Sequence, residues 1–242
     1  VSTPGTQSLT VDTTAPNAPT VTTALSNSAT PTIAGTAEAG STVTVTVGGA
    51  TYTTTATGGT WSIDLATATP TAGSLSLNAN GANPVSATAT DAAGNTSTAG
   101  TQTLTIDTTA PNAPAVTSAA LTNSTTPTIA GTAEAGSTVT VTIGGATYTT
   151  TATNGGTWSI DLATATPTAG SLSLNANGAN PVSATATDAA GNTSTAGTQT
   201  LTVDTTAPNA PTVTTALSNS ATPTLTGTAE AGSMVTVTVG GA

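Results

Sequence analysis

The sequence predicts an all-β chain of tandem sandwiches, and three observations carry that prediction. Valine and threonine alternate strictly over short stretches such as Thr42–Val47, glycine pairs and prolines interrupt those stretches, and the whole pattern returns after about 96 residues. The recurrence is nearly verbatim. Asp12, Asp107 and Asp204 stand 95 and then 97 residues apart, Glu38, Glu134 and Glu230 are spaced by 96 at each step, and Asp91 and Asp188 by 97. Residues 30–57 and 126–153 differ only at Val47 against Ile143. The second copy gains one residue near Ala120 and one at Asn154, both in turn-like contexts.

The boundary between copies is the stretch LTVDTTAPNAP, which starts at Leu9 and Leu201 and, as LTIDTTAPNAP, at Leu104. Each copy begins with strand alternation and ends in two prolines that cannot continue a sheet ladder. On this reading residues 1–11 are the last strand of a preceding repeat. Residues 12–106 and 107–203 are whole repeats, and 204–242 are the first part of a further one.

Within 12–106 the pattern predicts seven strands. Strand A covers 20–23, B covers 30–37 around Ile33, and C covers 42–47 with Val43, Val45 and Val47 on one face. Gly48-Gly49-Ala50 turns the chain into strand D at 51–57, which sends Tyr52 and Ala56 inward. Strand E at 60–65 points Trp61, Ile63 and Leu65 at the core. A longer segment, 66–83, caps the core with Leu75 and Leu77. Strand F covers 85–90, and strand G covers 101–106 with Leu104 and Ile106 inward. Seven alternating strands around one central tryptophan read as an immunoglobulin-like sandwich, without the disulfide. The repeats would then lie end to end.

Composition excludes much chemistry. Charged residues make up 4% of the chain, where roughly 25% is usual. There is no Lys, Arg, His, Cys or Phe, and ten acidic residues give a net charge of −10. Without His, Lys or Cys there is no activated nucleophile pair and no Schiff-base lysine. Zinc lacks thiolate and imidazole, nucleic acid lacks a basic patch, and neither a disulfide nor a Lys-Asn isopeptide bond can form. The apolar runs are far shorter than a membrane span, and no signal peptide is seen at Val1. The chain reads as no enzyme.

The acids have a pattern of their own. Strands of a sandwich alternate direction, so strand A starts at a leading pole that also receives the B–C, D–E and F–G turns. Glu38 lies in the B–C turn and Asp91 in the F–G turn, while Asp12 ends the strand that leads in. These three therefore converge on one joint, and Asp107, Glu134 and Asp188 converge on the next. Asp204 and Glu230 begin a third set. Three carboxylates about 5 Å apart repel by roughly 1–3 kcal/mol per pair, and no basic residue relieves them. Oxygen donors on flexible turns suit Ca²⁺ better than Mg²⁺, which demands tight octahedral geometry. Asp64 and Asp161 alternate outward on strand E and read as surface charges.

Four motifs, GTAEAGSTVTVTVGG, GGTWSIDL, ATDAAGNTS and DTTAPNAP, resemble the bacterial immunoglobulin-like repeats of giant surface adhesins. Biofilm-associated proteins and type I-secreted RTX adhesins are among these. The resemblance spans the whole chain. It implies an extracellular, cell-surface extender region stiffened by structural Ca²⁺ between domains, with Asp12, Glu38, Asp91, Asp107, Glu134 and Asp188 as the implicated acids. The expected partners are the neighbouring repeats of the same chain. Two other readings stand beside it. One is a filament or surface layer assembled by lateral contact. The other is a set of repeats that bind glycan, host protein or ice directly, which exposed aromatics would favour; Trp61 and Tyr52 fall on inward positions instead.

Overall fold

The computed structural model describes residue 5 and residues 7–240, and every regular element among the described residues is a strand. The first repeat contains β1 (Thr20–Val21), β2 (Leu25–Ser26), β3 (Thr32–Thr36), β4 (Thr42–Val47), β5 (Ala50–Thr55), β6 (Thr60–Asp64), β7 (Asn80–Thr90) and β8 (Gly100–Asp107). The second repeats the series as β9 (Ala115–Val116), β10 (Leu121–Thr122), β11 (Thr128–Thr132), β12 (Thr138–Ile143), β13 (Ala146–Thr151), β14 (Thr157–Asp161), β15 (Asn177–Thr187) and β16 (Gly197–Asp204). A final pair, β17 (Thr212–Val213) and β18 (Gly227–Thr228), matches the first antiparallel pairing of each whole repeat.

Each repeat is a two-sheet sandwich. In the first, a three-stranded sheet in the order β1-β3-β6 faces a five-stranded sheet in the order β2-β8-β7-β4-β5. Alternation explains the division of faces. Val43, Val45 and Val47 of β4 are buried between threonines that face out, and Trp61 and Ile63 of β6 are buried between Thr60, Ser62 and Asp64. Leu104 and Ile106 of β8 close the core, and Leu75 and Leu77 of the long 65–79 connection pack against it. A fully buried valine, isoleucine or leucine contributes about 1.5–3 kcal/mol. The second core occupies the equivalent places, from Ile129 to Val203, with Ile143 where the first has Val47 and Val203 where it has Ile106.

The β4–β5 hairpin shows how directly local chemistry acts. Val47 pairs with Ala50, so only Gly48 and Gly49 form the turn. Both have positive φ, at 54° and 81°, which is what a two-residue hairpin of the primed type requires.

Two expectations are corrected. The predicted strand A at 20–23 holds only β1, and an unpredicted strand, β2, follows it at Leu25–Ser26, which makes eight rather than seven per repeat. β1 pairs antiparallel with β3, then the chain crosses, and β2 runs parallel beside β8 in the other sheet. Two-residue strands carry no period for a sequence to show. Second, strand F starts at Asn80 and not at Val85, so a strand contains Pro84. Ala89 exchanges bonds with Ser97 on the β8 side. Alternation therefore turns the donor-less nitrogen of Pro84 toward β4, one residue past the last β4 pair at Val85. Residues 7–11 of the expected leading strand 1–11 lie in no strand, and Leu9 and Val11 are exposed. A strand of that type needs its antiparallel hairpin partner, and no strand lies beside these residues. Residues 1–4 and 6 of that stretch, and 241–242 of the predicted 204–242 unit, lie outside the described residues.

Candidate functional site

The joints between repeats are built by turns, and each predicted acid sits in one. The DAAGN turn between β7 and β8 places Asp91 so that its Oδ1 accepts from the N–H of Ala93 at 2.9 Å and of Asn95 at 2.8 Å. Its Oδ2 accepts from Asn95 Nδ2 at 2.9 Å. This is Asx-type turn chemistry, in which a short acid replaces the missing backbone partners of the turn. In the second repeat Asp188 Oδ1 accepts from Gly191 N at 2.7 Å and Asn192 N at 2.9 Å, and Oδ2 from Asn192 Nδ2 at 2.8 Å.

These bonds favour the ionised acid. Asn95's side-chain amide, helped by the backbone N–H groups of Asn95, Ala93 and Gly94 and opposed by partial burial, holds Asp91 below the usual aspartate value. For Asp188, partial burial is the largest single influence and pushes upward. The Asn192 amide and the N–H groups of Asn192, Gly191 and Ala190 together outweigh it, so the net direction is again down.

Asp12, Asp107 and Asp204, the acids at the start of each linker, make the same small turn. Their Oδ1 atoms accept from Thr14 N at 2.9 Å, Thr109 N at 3.0 Å and Thr206 N at 2.9 Å. Glu38, Glu134 and Glu230 serve their turns through the main chain. The glutamate carbonyl takes the N–H and hydroxyl of the serine three residues on, at 3.1 and 2.7 Å for Ser41, Ser137 and Ser233 alike. That leaves the carboxylate outside the turn's own bonding. Asp64 and Asp161, read from sequence as surface charges, also cap the turn after β6 and β14. Their Oδ1 atoms take the N–H of Ala66 and Ala163, each at 3.0 Å.

Strand polarity brings the second set together. Asp107, Glu134 and Asp188 line one cleft of about 220 Å³ at the joint, with Leu25 of the first repeat and Gly136 and Ser137 of the second. Among the described residues, no group of three acidic side chains stands close enough to hold a metal ion. The donors are oxygens, the type of ligand that hard cations take. Asp107 and Asp188 spend one and three acceptor positions on their turns, and a carboxylate offers about four. The described residues bring no corresponding F–G turn to Asp204 and Glu230.

The sequence reading missed the amides. Asn80 Oδ1, at the start of β7, accepts from Thr108 N at 2.8 Å, Thr108 Oγ1 at 3.0 Å and Thr109 Oγ1 at 3.2 Å, and so ties the linker back to the repeat it leaves. Asn177 does the same to Thr205 and Thr206. From the other side, Asn192 Nδ2 donates to the main-chain oxygen of Asp107 at 2.8 Å, and Asn95 Nδ2 to that of Asp12 at 3.1 Å. The available signal was NANGANP and DAAGN returning unchanged in both repeats.

An end-to-end series of disulfide-free sandwiches, joined through acid-bearing turns, is the architecture of a tandem-repeat structural protein. The chain belongs to the bacterial Ig-like domain family, which it matches over residues 6–108 and 114–205. Among solved structures it is similar to part of a 1.5-MDa bacterial ice-binding adhesin, at 34% identity over 79% of this chain and 66% of that one, with a TM-score of 0.33. It is also similar to a Ca²⁺-stabilized adhesin with which an Antarctic bacterium reaches out and binds ice, at 35% identity over 84% and 52%, with a TM-score of 0.35. The fibronectin(III)-like modules of CbhA from Clostridium thermocellum match at 16% identity over 77% and 95%, with a TM-score of 0.45. The chain thus spans between half and two thirds of the two adhesin structures. No curated protein matches it in sequence.

Proposed function

We propose that this chain is part of the extender of a large bacterial cell-surface adhesin, a stalk that holds an adhesive module away from the cell and serves attachment and biofilm formation. Its repeats, 12–106 and 107–203 with a further one from 204, act mechanically and carry out no catalysis. Membership of the bacterial Ig-like family supports the class. One observation supports the role: at the joint between the two whole repeats Asp107, Glu134 and Asp188 line a single cleft.

Ca²⁺ belongs to the same reading. It would be held at the joints by Asp107, Glu134 and Asp188, and by Asp12, Glu38 and Asp91, with Asp204 and Glu230 contributing to a third site. A chain of net charge −10 without a single basic residue has to take its counter-charge from solution, and acids on turns give the flexible oxygen shell that Ca²⁺ accepts. Bound between two repeats, the ion would turn mutual repulsion into a bridge. Small-angle scattering of the chain in Ca²⁺ and in chelator tests this. The maximum dimension should be larger and the interdomain scatter narrower with Ca²⁺, and Asp107→Asn with Asp188→Asn should abolish the difference. Identical profiles in both conditions would refute the calcium bridge.

A further inference from the structure

We infer that Asn192 locks the two whole repeats together through a direct amide clasp that needs no cation, and that Asn95 holds the leading linker at Asp12 in the same way. The lock shares Asp188 with the proposed calcium bridge but requires neither the cation nor the adhesin role.

Asn192 belongs to the F–G turn of the second repeat, and Asp107 is the last residue of β8 in the first. The amide nitrogen has two hydrogens, and both are used across short distances, to Asp188 Oδ2 and to Asp107 O, each at 2.8 Å. The first bond aims the second. Asp188 is itself fixed by the N–H groups of Gly191 and Asn192. By accepting one amide hydrogen it sets the plane of the amide so that the other meets the neighbouring repeat's carbonyl. An aspartate at position 192 would present only acceptors to Asp107 O and Asp188.

The carbonyl that receives this bond is held in place from behind. Asn80 of the first repeat grips Thr108 and Thr109, the two residues after Asp107, through three hydrogen bonds. The linker is thus pinned by one repeat and seized by the next within three residues. The geometry recurs at the preceding joint, where Asn95 reaches Asp91 Oδ2 at 2.9 Å and Asp12 O at 3.1 Å. The two clasps lie in turns separated by 97 residues, so neither depends on the other.

The chain contains no cysteine, so Thr53→Cys and Thr149→Cys, both on exposed strand positions, give a unique pair of spin labels, one in each repeat. Pulsed EPR in chelator then reads the distribution of distances across the joint. Asn192→Ala should broaden that distribution, with the closed-to-open ratio falling about fivefold, the effect of losing one neutral hydrogen bond. Asn95→Ala removes the same turn amide from the first repeat without touching the labelled joint, and should leave the distribution unchanged. Asn192→Ala without broadening, or equal broadening by both variants, would overturn the clasp. Adding Ca²⁺ separates this from the bridge: a native distribution unmoved by Ca²⁺ removes the cation and leaves the clasp standing.

Discussion

Gly100→Ala is expected to destabilise the first repeat by about 3 kcal/mol, through overpacking that no side-chain rotation can relieve. A Cβ at position 100 would overlap the carbonyl of Pro19, and one at Gly35 would overlap the carbonyl of Thr20. The segment that enters the repeat therefore lies in a cradle floored by two glycines, one on β8 and one on β3. The obstacle is backbone on both sides. Strand β1 is held to β3 by only two residue pairs, Thr20↔Thr36 and Val21↔Gly35, so a shift at Pro19 detaches it and uncovers the core at Val21. Gly197 meets Pro114 and Gly131 meets Ala115 in the same way. Denaturant unfolding in a Trp158→Phe background lets Trp61 report the first repeat alone. Gly58→Ala is the comparison, because its Cβ would meet nothing within 4 Å and only its positive φ of 61° is strained. If Gly100→Ala costs no more than Gly58→Ala, the cradle does not position β1.

Asn83→Ala should lower the unfolding midpoint of the first repeat by about 10 °C, the equivalent of some 2 kcal/mol in a domain of this size. Asn83 is 4% exposed and works at full capacity. Its Oδ1 accepts from Asn78 N at 2.7 Å, and its Nδ2 serves the carbonyls of Asn78 and Gly81 at 3.0 Å and of Leu104 at 3.5 Å. Alanine would leave an N–H and the carbonyls of Asn78 and Gly81 short of a partner in a place with little access to water. It would also release the 65–79 connection, which seats Leu75 and Leu77 on the core. Asn83→Asp keeps only the bond from Asn78 N and adds a charge, so it should be no better tolerated. A shift under about 3 °C would show that the connection finds other partners.

These two residues mark where sequence reasoning stops. Thr42–Val47 could be read residue for residue, because six positions of strict alternation leave no other period. Trp61, Ile63 and Leu65 followed for the same reason, and all are buried. Asn83 and Pro84 read as loop because an amide next to a proline is common turn chemistry. Only burial beside Leu104 turns that amide into a core residue. At the joints, strand polarity alone was enough to send Asp107, Glu134 and Asp188 to one pole, and they line one cleft. The roles of Asn80 and Asn192 depend on which N–H, hydroxyl or carbonyl lies within about 3 Å of the side-chain amide. No spacing of residues reports that.

The parallel pairing of β2 with β8 has a consequence for a tethered chain under flow. β2 comes near the start of the repeat and β8 at its end, and both run in the same direction, with Thr105 N bonded to Ala24 O at 2.8 Å and, in the second repeat, Thr202 N to Ala120 O at 2.7 Å. Tension on the two ends draws these strands in opposite senses along their own axes. Their hydrogen bonds are then strained together in shear, and none can peel open ahead of the rest. A series of such repeats should yield one repeat at a time and at high force. Thr105→Pro, which deletes one of the sheared donors, should lower the force at which the first repeat gives way in single-molecule pulling. An unchanged force would mean that tension runs through other contacts.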